Sequence, residues 1–178
     1  MKNNILIVPG WQNSDHEHWQ SIWEKKLNAT RVTQDNWMNP SRSAWTSRLK
    51  QAISAQPTPP VLITHSLGCN TTAIVSKESN CEVAGAFIVC PADLEQSDTP
   101  SEVKGFLPMA LTKLRFPSVV IASENDPYCS LERAQYFAKQ WGSQLVSMGA
   151  KGHINVEAGF GEWPEGEVIF QEFLKSLS

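Results

Sequence analysis

A chain of 178 residues, 41% hydrophobic and 19% charged, has the length for one sizeable core and the composition of an ordinary globular domain spanning 1–178. A net charge of -3 without a lysine or arginine cluster excludes the usual footprint of a nucleic-acid binder, and no apolar run approaches the length of a membrane span. Cys69, Cys81, Cys90 and Cys129 form no Cys-x-x-Cys pair, so the sequence expects neither metal nor disulfide framework but reduced thiols packed in a cytoplasmic protein.

The first apolar run, Ile5-Leu6-Ile7-Val8, follows Met1-Lys2-Asn3-Asn4 directly. It is too short for a signal-peptide core and reads as a first buried strand closed by Pro9-Gly10. Trp19, Ile22, Trp23 and Leu27 recur at helical spacing, residues 31–34 suit a short edge strand, and Trp45, Leu49, Ala52 and Ile53 mark a second helix. Pro57, Pro59 and Pro60 separate it from a strand, Val61-Leu62-Ile63, that runs into a helix from Leu67 to about Ser76. Residues 83–89 read as a strand. Residues 91–117 form a long irregular connection with a short helix expected around 109–114, and one wall of a pocket is expected from it. A strand at 119–122 follows, then a helix capped by Ser130 and carrying Ala134, Phe137, Ala138 and Trp141. A last strand at 145–148 precedes a closing amphipathic helix with Ile169, Phe170, Phe173, Leu174 and Leu177. Strands alternating with helices predict an α/β protein, a mainly parallel sheet flanked by helices on both faces.

Chemistry concentrates at Thr64-His65-Ser66-Leu67-Gly68, a serine in a tight bend between strand and helix with glycine two places on. This is the pattern of a nucleophile elbow, which lifts the hydroxyl above the sheet and aims a helix N-terminus at the same point. A serine hydroxyl needs a base, and the base needs a partner to fix its tautomer. Asp126, in Ser123-Glu124-Asn125-Asp126-Pro127, and His153, in Lys151-Gly152-His153-Ile154-Asn155, follow the last two strands in the order serine, acid, histidine; Glu124 is the rival acid. Each residue alone is an ordinary loop side chain, and the conjunction carries the argument. The oxyanion needs two backbone donors, expected from Leu67 and from Trp11, with Gln12 as the rival of Trp11. Asp15-His16-Glu17-His18 places two histidines off any shared helical face and reads as loop or pocket rim, not as a metal site. His65 is expected to serve structure. The pocket is expected to be shallow and aromatic, walled by Trp11, Trp37, Phe106, Phe160 and Trp163.

Val8-Pro9-Gly10-Trp11, His18-Trp19-Gln20, Thr64-His65-Ser66-Leu67-Gly68-Cys69, Asn125-Asp126-Pro127 and Gly152-His153-Ile154-Asn155 together resemble the small serine hydrolases related to retinoblastoma-binding protein 9 and its bacterial counterparts. The resemblance covers nearly the whole chain. It implies a compact α/β-hydrolase fold with minimal or no lid, a triad falling on Ser66, Asp126 and His153, and ester or amide hydrolysis with no cofactor. Thr64 departs from the general elbow, where glycine is usual, and is expected to crowd the bend. The expected partner is a small-molecule ester, thioester or amide, with no nucleic acid and no membrane. A protein-interaction module on a hydrolase scaffold, or acyl transfer to an acceptor other than water, stays open at this point.

Overall fold

The computed structural model describes residues 4–178. Met1, Lys2 and Asn3, which precede the first apolar run, lie outside the described residues. Among the described residues, six parallel strands form one sheet in the order β2-β1-β3-β4-β5-β6: β1 Ile5–Val8, β2 Thr30–Arg31, β3 Val61–Ser66, β4 Gly85–Pro91, β5 Ser118–Ala122 and β6 Gln144–Ser147. Five helices accompany them: α1 Trp19–Leu27, α2 Arg42–Ser54, α3 Leu67–Glu78, α4 Leu131–Trp141 and α5 Pro164–Ser176.

Side chains on successive strand residues point to opposite faces, and here both faces are covered. Leu6, Leu62, Ala86, Ile88 and Val120 pack with Trp45 and Leu49 of α2, Ala73 and Ile74 of α3, and Phe137 and Trp141 of α4. Their neighbours Ile7, Ile63, Phe87, Val89 and Ile121 pack on the other face with Trp19 and Trp23 of α1 and Phe170 and Phe173 of α5. Burying each such large side chain contributes about 1.5–3 kcal/mol.

Helix boundaries follow local chemistry. Ser41 and Ser130 accept from the N–H groups of Ala44 and Arg133, and Gly142, in the left-handed region at φ 68°, ends α4. Pro164 stands in the first turn of α5, where its missing N–H costs nothing.

Two expectations change. The edge strand is Thr30–Arg31 rather than 31–34. The long connection holds a single 3-10 turn, Lys104–Phe106, and no helix at 109–114. Its apolar spacing arises instead from docking on α4: Trp141 Nε1 donates to the Ala110 carbonyl at 2.8 Å, and Leu114 N–H donates to the Trp141 carbonyl at 2.9 Å.

From β1 the chain leaves to one side for β2, then returns across β1 to place β3 on the other side. The C-terminal ends of β1 and β3 therefore border a topological switch point, where open α/β sheets present their crevice.

Candidate active site

Ser66 ends β3 and stands immediately before α3 with φ 53° and ψ -124°. A non-glycine residue there is strained by about 1–3 kcal/mol, and the surroundings must hold it. They do so by close approach. A Cβ on Gly68 would lie 2.3 Å from the Val8 carbonyl oxygen and 2.7 Å from that of Pro9, so only glycine lets the first turn of α3 rest on the end of β1. The Thr64 side chain, expected to crowd the bend, is fully buried and donates through Oγ1 to Cys69 Sγ at 3.1 Å.

The loop after β1 lies against the same bend. A Cβ on Gly10 would meet Ser66 Cβ at 2.8 Å and Leu67 N at 3.1 Å. Gln12 N–H donates to the Trp37 carbonyl at 3.1 Å, whereas Trp11 N–H has no partner among the described residues. Leu67 opens α3, where backbone N–H groups lack partners within the helix. Gln20, fully buried, stitches the two strand ends together: its amide donates to the Ile63 carbonyl at 3.2 Å and accepts from Ser14 Oγ at 2.7 Å. Arg31 fixes the far side of the loop by donating to Asn13 Oδ1 and the Ser14 carbonyl, both at 2.8 Å.

Asp126 and His153, brought from the loops after β5 and β6, meet directly. His153 Nδ1 lies 2.9 Å from Asp126 Oδ1 and 3.0 Å from Oδ2. Both side chains are buried, and Tyr128 N–H donates to Asp126 Oδ1 at 2.9 Å. Glu124, the rival acid, instead accepts from Ser147 Oγ at 3.3 Å. The loop carrying His153 is held from three sides. His65 Nε2 donates to the His153 carbonyl at 2.8 Å, the Trp19 indole donates to the Ile154 carbonyl at 2.8 Å, and Asn125 Oδ1 accepts from Gly152 N–H at 2.7 Å. The exposed Tyr128 ring stands edge-on to His153 at 4.6 Å.

Burial sets the charge states around this pair. His65 is held well below the ordinary imidazole value by desolvation, with His153 and His18 adding to the effect and its bond to the His153 carbonyl opposing it. Desolvation likewise lowers His18 to about 4, against the pull of Asp15. The buried Cys90 thiol is pushed well above its ordinary value, first by burial and then by Asp126. Atoms of Cys90, Asp126 and His153 lie within 4.8 Å of one another, the one group among the described residues close enough to share a cation. Its donor set fits a cation poorly, because the thiol is held protonated and the carboxylate already faces His153 Nδ1.

Ser66, His153, Leu67, Gly10 and Trp11 border a cavity of about 540 Å³. The connection after β4 supplies one wall through Leu94, Thr99, Pro100 and Val103, and Pro127 and Tyr128 close another side. The expected aromatic wall needs correction. Trp37, Phe106, Phe160 and Trp163 are not among the residues lining this cavity. Trp163 is stacked on Trp23 at 5.5 Å with Phe160 packed on the same core, and the fully buried Phe106 packs against Trp45, as does Trp37. Asp15 and His18 border the cavity, as the pocket-rim reading expects, but the sequence missed Asp93, which borders it while Arg133 of α4 grips its carboxylate at 2.8 Å. The pairing of a buried acid with a helix arginine across 40 positions leaves no local signal.

The chain matches the family model described as serine hydrolase over residues 5–172. It is 35% identical to a YdeN-like hydrolase of Pectobacterium atrosepticum, with a TM-score of 0.87, over 98% of this chain and 91% of that one. The ydeN gene product of B. subtilis shares the fold at 19% identity and a TM-score of 0.82, with 97% and 99% of the two chains covered. Est1E of Butyrivibrio proteoclasticus, in a structure with ferulic acid bound, shares it at 13% identity and a TM-score of 0.73, over 98% and 89%. None of the curated proteins compared with the chain matches it. A six-stranded parallel sheet, a strained serine at its switch point and a family match across nearly the whole length lead to one conclusion: the chain belongs to the serine hydrolase family.

Proposed function

We propose that the protein is a carboxylesterase-like hydrolase of small esters, with thioesters and amides as related substrates, and that Ser66, His153 and Asp126 are its catalytic triad. His153 Nε2 takes the proton from Ser66 Oγ as that oxygen bonds to the substrate carbonyl carbon. Asp126 holds Nδ1–H and stabilises the imidazolium that forms. The N–H groups of Leu67 and Trp11 receive the negative oxygen of the tetrahedral intermediate. The carbon–oxygen bond to the leaving group breaks, and His153 returns its proton to the departing oxygen. Water then attacks the acyl-enzyme by the same route, and the acid product leaves with Ser66 restored.

The observation that carries this reading is that His153, paired with Asp126, and the strained Ser66 border one cavity. The engagement of Gln12 N–H by Trp37 favours Trp11 as the second oxyanion donor. The free cysteines suit work in a reducing compartment such as the cytoplasm, and among the described residues no helix is long and apolar enough to cross a membrane. The whole of 1–178 acts as one hydrolase domain in this reading.

A fluorophosphonate probe and a short-chain nitrophenyl ester test it together. The probe is expected to label the wild type and not Ser66→Ala, and turnover is expected to vanish in His153→Ala. A native protein that neither labels nor turns over ester refutes the proposal.

A further inference from the structure

We propose that His18 is a substrate-binding residue: its Nε2–H donates a hydrogen bond to an uncharged oxygen in the acyl or leaving group, so that the site selects esters carrying a second oxygen acceptor. The proposal rests on the hydrolase reading above and deepens it by naming the substrate class.

The tautomer is fixed by the chain itself. Gln20 N–H donates to His18 Nδ1 at 3.1 Å, so the ring proton of the neutral imidazole sits on Nε2. Nε2 has no partner among the described residues, although His18 is only 5% exposed. Nor does it belong with the sealed, unpartnered atoms of the interior such as Gln34 Oε1 and Trp163 Nε1. Its opening is to the cavity that His18 shares with Ser66, Trp11 and His153. The ring cannot readily turn away, because His65 packs edge-on to it at 5.0 Å and Trp19 lies at 5.5 Å. Desolvation keeps it neutral through the working range, so it acts as a donor and not as a cation.

Capping α1 does not explain this side chain. The cap uses Nδ1 alone, and serine, aspartate or asparagine would serve as well. Facing the cavity, Nε2 can exchange a water for a substrate oxygen at little cost. The charge around the cavity selects the kind of oxygen. Asp15, Asp93, Asp98 and Glu157 line it, and no lysine or arginine does among the described residues. A carboxylate on the substrate would meet like charge, so an ether, hydroxyl or carbonyl oxygen fits.

Two variants separate binding from capping. His18→Asn keeps an acceptor near Nδ1 and loses the Nε2 donor; His18→Gln keeps a donor near Nε2 and loses the cap. Nitrophenyl methoxyacetate and nitrophenyl butyrate differ by an ether oxygen in place of a methylene, and the ratio of their kcat/KM values is read in each protein. We expect the ratio to fall roughly five- to tenfold in His18→Asn, the effect of one ordinary hydrogen bond, and to stay near wild type in His18→Gln. A ratio unchanged in His18→Asn, or lost only in His18→Gln, overturns the proposal. Fluorophosphonate labelling of each protein separates the two failures, since an unlabelled wild type sinks the hydrolase reading itself. Should a variant not fold, Ser66→Ala is titrated with ethyl methoxyacetate and ethyl butyrate while the His18 ring nitrogens are followed by NMR. An Nε2 shift with the ether ester alone supports the proposal; equal shifts, or none, overturn it.

Discussion

Gly10→Ala tests the oxyanion arrangement without removing a reacting group. The new methyl would sit 2.8 Å from Ser66 Cβ, 3.0 Å from the His65 carbonyl oxygen and 3.1 Å from Leu67 N, where ordinary contact begins at 3.4 Å. These neighbours are backbone or the strained serine itself, so they give little. The loop after β1 must back away by about half an ångström or more, and Trp11 N–H moves with it. Overpacking of this kind costs about 1–3 kcal/mol of stability. In rate it approaches the loss of an oxyanion donor, about a hundred- to a thousandfold in kcat. KM should change far less, because the displaced donor serves the tetrahedral state more than the ground-state carbonyl. The assay is steady-state hydrolysis of nitrophenyl acetate, with urea unfolding of the same preparations. Gly105→Ala is the control, since a Cβ there meets nothing within 4 Å. A folded, destabilised Gly10→Ala protein with wild-type kcat would show that this loop supplies no oxyanion donor.

The remaining predictions concern acid stability and thiols. His18 titrates at about 4 in the folded state against 6.5 in the unfolded chain, so between these values the unfolded state binds more protons. Stability is therefore full above pH 6.5 and falls as pH drops towards 4, by on the order of 2–3 kcal/mol from this residue. Urea unfolding between pH 7.5 and 4.5 should show a shallower acid loss in His18→Phe than in the wild type, and equal slopes would refute the assignment. Cys69, held at about 12 by burial, and the equally buried Cys90 and Cys129 should ignore a thiol reagent in the native protein, leaving the half-buried Cys81 to react. Rapid modification of more than one thiol before unfolding would contradict this.

Much of the fold was legible because its signals are local. The alternation of apolar runs and helical stripes required only neighbours in sequence, and the meeting of Asp126 with His153 could be expected because each follows a strand. The wall from the long connection and Trp11 were legible, but the rest of the expected aromatic wall was not. A tryptophan in a loop carries no mark of which way it turns, and Trp163 turned inward to stack on Trp23. The spacing of Met109, Ala110 and Leu114 imitated a helix because an irregular segment lying on α4 must also bury its apolar residues at intervals. Asp93 escaped because its partner, Arg133, lies on α4.

The way the His153 loop is held bears on how so small a chain would position the proposed base. His65 comes from the strand that ends in Ser66, Trp19 from the helix after the β1 loop, and Asn125 from the loop that carries Asp126. Each other part of the proposed site thus grips the histidine loop through one hydrogen bond of its own. A displacement of any one part pulls on His153, so the geometry is determined by several weak constraints in common rather than by a single rigid element. This also gives the His65 imidazole its reason for burial. Its Nε2 donates to the His153 carbonyl and its neutral form is the one the interior favours, so the residue preceding Ser66 ties the elbow to the loop of the proposed base without competing for the proton.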